Sequence, residues 1–248
     1  MTKYNFKRIN CLMKQLNESM IAVITGDVVN STQHTKSIHE RSSAYVTSHS
    51  VQNHKSIEWL GQLKAALSTL GSTPNDWQIY RGDSFQLRIN APESAIAVAI
   101  WLKAMIRSLG IKGLDLRMAI GIGAADYEAE QVIESNGPAF INSGTLFDQL
   151  KKNTLAIKTP WQELDEQLNI FLQLALLSID RWTANSAKIV AASMQMPDAT
   201  QSQVAEKLGI PQSRVSEGLD RAGYEPIMQM ELYCRELMQN GIVIKKRV

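Results

Sequence analysis

The chain has 248 residues, of which 44% are hydrophobic and 20% are charged, which is enough for one or two domains. Its 26 basic and 24 acidic residues leave a net charge of only +2, so composition excludes binding to nucleic acid or membranes through overall charge. The longest apolar stretches are too short to span a bilayer. Cys11 and Cys234 lack the spacing of a disulfide scaffold or a zinc site. We therefore expect a cytoplasmic protein with no membrane partner.

Residues 1–19 have spaced apolar side chains among basic ones, which predicts an amphipathic helix and not a signal peptide. The patterns that follow predict, in chain order, a strand at 20–26, a helix near 60–70, a hairpin at 77–89, a helix at 92–110, a strand at 114–122, a helix after 138 and a strand at 154–158. This order predicts an α/β sandwich with one helical layer on a mixed sheet over residues 20–159. From residue 160 the periodicity is purely helical, so residues 160–248 are predicted to form an all-α domain.

Two Gly-Asp pairs stand at the ends of predicted strands. Asp27 follows the first strand, and Asp83 lies at the tip of the hairpin. If the first strand lies beside the hairpin, both carboxylates lie at one edge of the sheet. Two carboxylates at one point bind a hard cation such as Mg²⁺, which takes its other ligands from water and phosphate. Each pair alone is also an ordinary turn sequence.

Three segments resemble the class III nucleotide cyclases: residues 24–32 (ITGDVVNST), residues 80–85 (YRGDSF) and residues 116–123 (LRMAIGIG). The first two are similar to the segments that carry the metal-binding aspartates of that family, and the second is also similar to the GGDEF signature. Within this group the chain resembles the SatD-like bacterial proteins. They share the Gly-Asp-x-Val-Asn-Ser start, the Gly-Asp-Ser-Phe-Gln hairpin and a Gly-Pro-Ala-Phe segment, here residues 137–140.

The resemblance implies a ferredoxin-like, nucleotide cyclase-like sandwich that binds a nucleotide and Mg²⁺ or Mn²⁺. The groups that it implies for the metal are the carboxylates of Asp27 and Asp83 and the carbonyl of Val28. Those that it implies for phosphate are the backbone amides of Val29, Asn30 and Ser31.

Other positions depart from the cyclase pattern. Ile141 and Thr145 stand where cyclases have a transition-state Asn and Arg, and Asn142 is one helix position away from the first of them. Ile79 stands in the place of the purine-reading Lys, and Ser84 in that of the acidic residue at the fourth GGDEF position. Since charge stabilisation at the phosphoryl group is a large part of the catalysis, the resemblance implies nucleotide binding without an active cyclase.

Residues 187–222 have the pattern of a helix-turn-helix and resemble the winged and MarR- or sigma-type families. Thr200 is the predicted cap of one helix, Gly209 the turn and Pro211 the start of the second helix. The side chains that this pattern exposes to DNA are Lys207, Gln212, Ser213, Arg214 and Ser216. Such modules also dock proteins or dimerise, and residues 160–248 are slightly acidic, with nine basic and eleven acidic residues.

The four histidines all follow Asp27, at positions His34, His39, His49 and His54. Their spacing favours a polar lid over a metal cluster.

The sequence as a whole predicts a homodimeric DNA-binding regulator whose cyclase-like domain senses a metal-bound nucleotide. The alternative is an active nucleotidyl cyclase or nucleotide phosphohydrolase whose C-terminal helices dimerise or dock a partner.

Overall fold

The computed structural model describes residues 20–31 and 49–244, so the predictions for residues 1–19 and for the four histidine side chains lie outside it. The described strands are β1 (Met20–Val29), β2 (Trp77–Tyr80), β3 (Ser84–Ile89), β4 (Asp115–Ala124) and β5 (Leu155–Lys158). The described helices are α1 (His49–Ser68), α2 (Ala95–Arg107), α3 (Pro138–Gln149), α4 (Gln162–Ile179), α5 (Ala184–Gln195), α6 (Gln201–Leu208), α7 (Gln212–Ala222) and α8 (Tyr224–Ile244). None of these helices combines the length and apolar character that a bilayer span requires.

The five strands form one sheet in the order β2-β3-β1-β4-β5. β4 and β5 are parallel, and every other neighbouring pair is antiparallel. The predicted α/β class and the hairpin of β2 and β3 are thereby confirmed. The helix predicted from Pro92 begins as a short 3-10 turn, Pro92–Ser94, and continues as α2.

One face of the sheet lies against α1, α2 and the C-terminal helices. Alternate residues of the central strands, such as Ile24 and Met118, are fully buried there. Side chains of α4, α5 and α8, including Leu172, Val190 and Ile227, belong to the same hydrophobic cluster. Because each of these helices has an apolar stripe at helical spacing, each is stabilised by this burial. The division of the chain at residue 159 stays a prediction.

The other face of the sheet is covered by α3, so the expectation of a single helical layer is wrong. A side chain at Gly121 would place its Cβ 2.2 Å from the carbonyl oxygen of Ala139, and one at Gly123 would place it 2.7 Å from the Ala139 amide nitrogen. These two glycines let the backbone of α3 lie directly on β4. The prediction failed because β4 carries small residues on this face, where a solvent-facing strand would carry polar ones.

A buried ionic network joins the sheet to the C-terminal helices. The ammonium of Lys103, whose side chain is fully buried on α2, lies 3.0 Å from Asp115 and 3.1 Å from Asp180. Arg107 also pairs with Asp115 at 2.8 Å and donates to the carbonyl oxygen of Trp182, just before α5. Thr154 donates to Asp180. Buried charges need such partners, because removal from water strongly disfavours an unpaired ion.

Candidate functional site

Asp27 and Asp83 lie on neighbouring strands at one end of the sheet. β1 pairs with β3 so that Asp27 is opposite Ser84, the residue after Asp83. The amide of Val28 donates to the carbonyl oxygen of Asp83 at 3.1 Å. The adjacency that the sequence argument required is therefore present, and it brings the two Gly-Asp pairs together.

Asp27 is held by an arginine that sequence reasoning did not assign to the site. Arg117 is opposite Asp27 on β4. Its Nε and Nη2 donate to the two carboxylate oxygens at 3.2 and 2.7 Å. The same guanidinium lies 4.9 Å from the centre of the Phe147 ring on α3, within the range of a cation-π contact. Asp27 therefore has an internal counter-ion, Arg117.

Two residues that follow β1 make hydrogen bonds at the same end of the sheet. The hydroxyl of Ser31, which is buried, donates to Asp83 at 2.5 Å. Asn30 has a left-handed backbone, with φ of 62°, and its side-chain amide donates to the carbonyl oxygen of Gly113 at 2.6 Å. Val29, still within β1, is opposite Asp115. Of the three residues predicted to hold phosphate, Ser31 contacts one of the two aspartates directly.

Tyr80 adds a phenol to this group. Burial raises the pKa of Tyr80, the nearby Arg81 lowers it, and the carboxylates of Asp27 and Asp148 raise it. The net effect of these influences is that the pKa of Tyr80 is raised from its usual value of 10.0. The phenol therefore keeps its proton at neutral pH and can donate a hydrogen bond. Its only sequence signal is its place directly before the hairpin turn, and Arg117 is signalled only by the strand that resembled the cyclase motif.

Asp27 and Asp83 provide carboxylate oxygens at this end of the sheet. Among the side chains that the structure describes, in residues 20–31 and 59–240, no three histidine, cysteine or acidic groups lie closely enough together to hold a metal by themselves. Mg²⁺ is commonly bound through one or two carboxylates, with water and substrate phosphates completing its shell. Asp27 and Asp83 are two carboxylates of this kind, and Arg117 is already paired with Asp27.

The two positions on α3 that differ from the cyclase pattern carry uncharged side chains at the surface. Ile141 and Thr145 are exposed, and neither can carry a charge. Asn142 donates to the carbonyl oxygen of Ile122 at 3.0 Å, so its amide is engaged with β4.

The helices α5, α6 and α7 form a unit with a small core of its own, which we call the α5–α7 unit. Thr200 caps α6 through a capping box with Gln203, and Gly209 ends the helix with φ of 65°, both as the sequence predicted. The core consists of Ile189, Ala192, Val204, Ala205 and Val215, with Leu208, Ile210 and Leu219 packed against it.

The side chains predicted to meet DNA are on the outside of the α5–α7 unit. Lys207, Gln212, Ser213, Arg214 and Ser216 are all exposed. Three cations, Lys188, Arg214 and Arg221, line a cavity of about 500 Å³ between α5 and α7. Glu217 lines it too and pairs with Arg214 at 3.4 Å. The unit therefore presents a local basic groove despite the slightly acidic composition of residues 160–248.

Comparison with known proteins adds no assignment: neither a protein-family model nor a curated protein matches this chain.

Proposed function

We propose that this protein is a cytoplasmic, homodimeric DNA-binding regulator, and that its ferredoxin-like, nucleotide cyclase-like part senses a nucleotide held through Mg²⁺ or Mn²⁺. The observation that carries the proposal is the α5–α7 unit. It combines a capped helix, a left-handed glycine turn and a second helix with an exposed polar N-terminal half. A helix-turn-helix offers its second helix to the major groove through a similar arrangement, and this similarity supports the proposal.

In this proposal α7 reads the DNA. Gln212, Ser213 and Ser216 offer hydrogen bonds to base edges, and Arg214 offers two parallel donors to a guanine. Lys207, on α6, would contact a phosphate and set the position of the module without reading sequence. Lys188 and Arg221, beside Arg214 in the basic groove, support that contact by attracting the phosphate backbone.

The sensing site lies at the end of β1. Asp27, Asp83 and the carbonyl of Val28 would hold the metal ion, and the amides of Val29, Asn30 and Ser31 would hold phosphate oxygens. When bound, the ion would supply positive charge for the phosphates in addition to that of Arg117, which is already paired with Asp27. Nucleotide binding is therefore expected to depend on the metal.

The β4 strand connects this site to the ionic network beside the α5–α7 unit. Arg117 pairs with Asp27, and two residues earlier on β4 Asp115 pairs with Lys103 and Arg107. Arg107 in turn donates to the carbonyl oxygen of Trp182, two residues before α5 begins. A ligand that changes the pairing of Arg117 would act on β4 next to the network that anchors α5. Such a change could alter the spacing of two DNA-reading helices in a dimer.

Replacing Arg214 with alanine is expected to weaken duplex binding by about 1–3 kcal/mol, because a guanidinium that contacts a base or phosphate is lost. The measurement is fluorescence anisotropy with the DNA upstream of the protein's own coding region, at several salt concentrations. Lys64→Ala is the matched control, since it removes an exposed cation from α1, outside the unit. Wild-type protein that shows no salt-dependent binding would contradict the proposal.

Replacing Arg117 with glutamine is expected to raise the affinity for Mn²⁺ about tenfold, because a cation that competes for Asp27 is removed. Isothermal titration calorimetry with Mn²⁺ and a nucleotide measures the change. Arg88→Gln is the control, since Arg88 is paired with Glu128 instead of Asp27. Equal or weaker Mn²⁺ binding by Arg117→Gln would show that Arg117 does not compete with the metal.

A further inference from the structure

A further cavity continues the basic groove of the α5–α7 unit towards α4. It has a volume of about 370 Å³ and lies where the end of α4 meets the start of α5. Ser186 and Arg221 line both this cavity and the cavity of about 500 Å³ between α5 and α7. The two cavities are therefore neighbours along α5, and together we call them the extended groove.

The charged residues that line the extended groove are mostly basic. Arg181 lines its α4 end, Arg221 lines both cavities, and Lys188 and Arg214 line the part between α5 and α7. From α4 onward the structure describes six basic and eleven acidic side chains. Four of those basic residues line the extended groove, whereas Glu217 is the one described acidic residue that does. This separation of charge, in an acidic part of the chain, indicates a surface for anions.

Three of these four cations have no acidic partner. Arg214 pairs with Glu217 at 3.4 Å, but Arg181, Lys188 and Arg221 form no ion pair within the part of the chain that the structure describes. All four side chains are exposed to solvent. Because like charges around one groove repel each other, an anion bound there would relieve that repulsion as well as pair with each cation.

The extended groove lies on one flank of α7. Arg214 and Arg221 are seven positions apart, about two turns of the helix, so they lie on nearly the same side of it. Gly218, between them, faces α5, because a side chain there would place its Cβ 2.4 Å from the Cδ1 of Ile189. Ser216, two positions after Arg214, is about 160° away around the helix. α7 therefore separates a basic flank, beside α5, from a flank that carries Ser216.

That other flank of α7 has the opposite charge. A cavity of about 740 Å³ lies there between α7 and α8, and the charged residues that line it are both acidic, Asp220 and Glu225. An α-helix with its side chains is about 10–12 Å wide and the major groove of DNA is about 12 Å wide, so the flanks of a bound helix face the phosphate strands. The charges therefore favour a phosphate strand on the α5 flank of α7 and disfavour one on the α8 flank.

We propose that the extended groove holds one phosphate strand of DNA, with Arg181, Lys188 and Arg221 each bound to a phosphate group. This contact rests on the proposed DNA binding by α7 and extends it in two ways. It determines which flank of α7 faces the phosphates, and it adds Arg181, at the end of α4 and outside the α5–α7 unit, to the interface. Phosphate contacts of this kind position the protein on the duplex and carry no sequence information.

Arg181→Gln and Lys188→Gln test this contact in the full-length protein. Each is expected to weaken binding to the upstream DNA and to a scrambled duplex of the same length by the same factor, about fivefold. Each should also lower the slope of log affinity against log salt concentration by about 0.9, the value for one phosphate contact. Fluorescence anisotropy with both duplexes at several salt concentrations measures these changes. Lys64→Gln is the control, since it removes an exposed cation from α1 and should leave both affinities and the slope unchanged.

The results separate this contact from the proposed reading of DNA by α7. Wild-type protein that binds neither duplex would overturn both. Salt-dependent binding by wild type, with equal affinity and slope in Arg181→Gln and Lys188→Gln, would overturn the groove contact alone. A loss confined to the upstream duplex would mean that these residues read bases, and would overturn it too.

Tripolyphosphate is the probe for a small phosphate ligand in the same groove. We expect calorimetry to show that it binds wild type far more weakly than duplex DNA does. Tight binding of tripolyphosphate that is lost in Arg181→Gln, in a protein that binds no DNA, would assign the groove to a free anion and overturn the phosphate strand.

Discussion

Lys103→Met is expected to lower the free energy of unfolding by about 3 kcal/mol, the lower end of the usual range for breaking a buried ion pair. The ammonium of Lys103 contacts Asp115, Asp180 and the carbonyl oxygen of Leu116. Asp115 keeps Arg107 as a partner in the variant. Asp180 keeps only the hydroxyl of Thr154 among the described contacts, so it becomes a carboxylate without a cation. Urea denaturation followed by circular dichroism measures the loss.

The control for this prediction is Lys64→Met, an exposed lysine on the neighbouring helix α1, which is expected to change stability by no more than about 0.5 kcal/mol. Adding Asp180→Asn to Lys103→Met should recover part of the loss, since it removes the unpaired charge. If Lys103→Met were as stable as wild type, the network would not anchor the C-terminal helices.

Asp27→Asn is expected to abolish Mn²⁺ binding and, with it, metal-dependent nucleotide binding. The substitution removes one of two carboxylates, and hard cations depend on the number of charged oxygen ligands. It also removes the partner of Arg117, so the metal-free protein should lose about 1 kcal/mol of stability, a modest value because the pair is partly exposed. Calorimetry with Mn²⁺ and nucleotide, together with thermal unfolding, measures both effects.

Asp83→Asn separates the loss of Mn²⁺ binding from the loss of stability. It should also abolish Mn²⁺ binding, but the amide oxygen can still accept from Ser31, so stability should change little. Asp126→Asn, an exposed aspartate in the loop after β4, is the control for charge alone. Unchanged Mn²⁺ binding in Asp27→Asn would remove the metal site from the proposal. Rapid formation of a cyclic nucleotide by wild type would contradict the assignment of Ile141 and Thr145 to the transition-state positions.

Much of the local structure follows from the sequence alone. The hairpin of β2 and β3 is signalled by two short apolar runs around Arg81 and Gly82, which both adopt positive φ. Thr200 and Gly209 mark the ends of α6 through their side-chain and backbone chemistry. Such features depend on residues a few positions apart, so periodicity and capping rules are enough to predict them.

Asp27 lies beside the hairpin only if β1 and β3 are neighbours in the sheet, and this depends on tertiary structure. The sequence supplied both aspartates and their places at strand ends, and the sheet order satisfied the condition. The sequence did not indicate that Asp27 would have a counter-ion. Arg117 is 90 positions away, and only the register of β1 with β4 puts the two side chains opposite each other.

The second helical layer and the ionic network were likewise decided by tertiary structure. A glycine in a strand can mark a bulge, a bend or a close approach, and only the position of α3 shows that Gly121 serves the last of these. Lys103 interrupts an apolar stretch, and its partners come from β4 and from the end of α4. Local patterns determined which segments of this protein are helices and strands, whereas pairings between distant residues depend on strand order and register, which no local pattern contains.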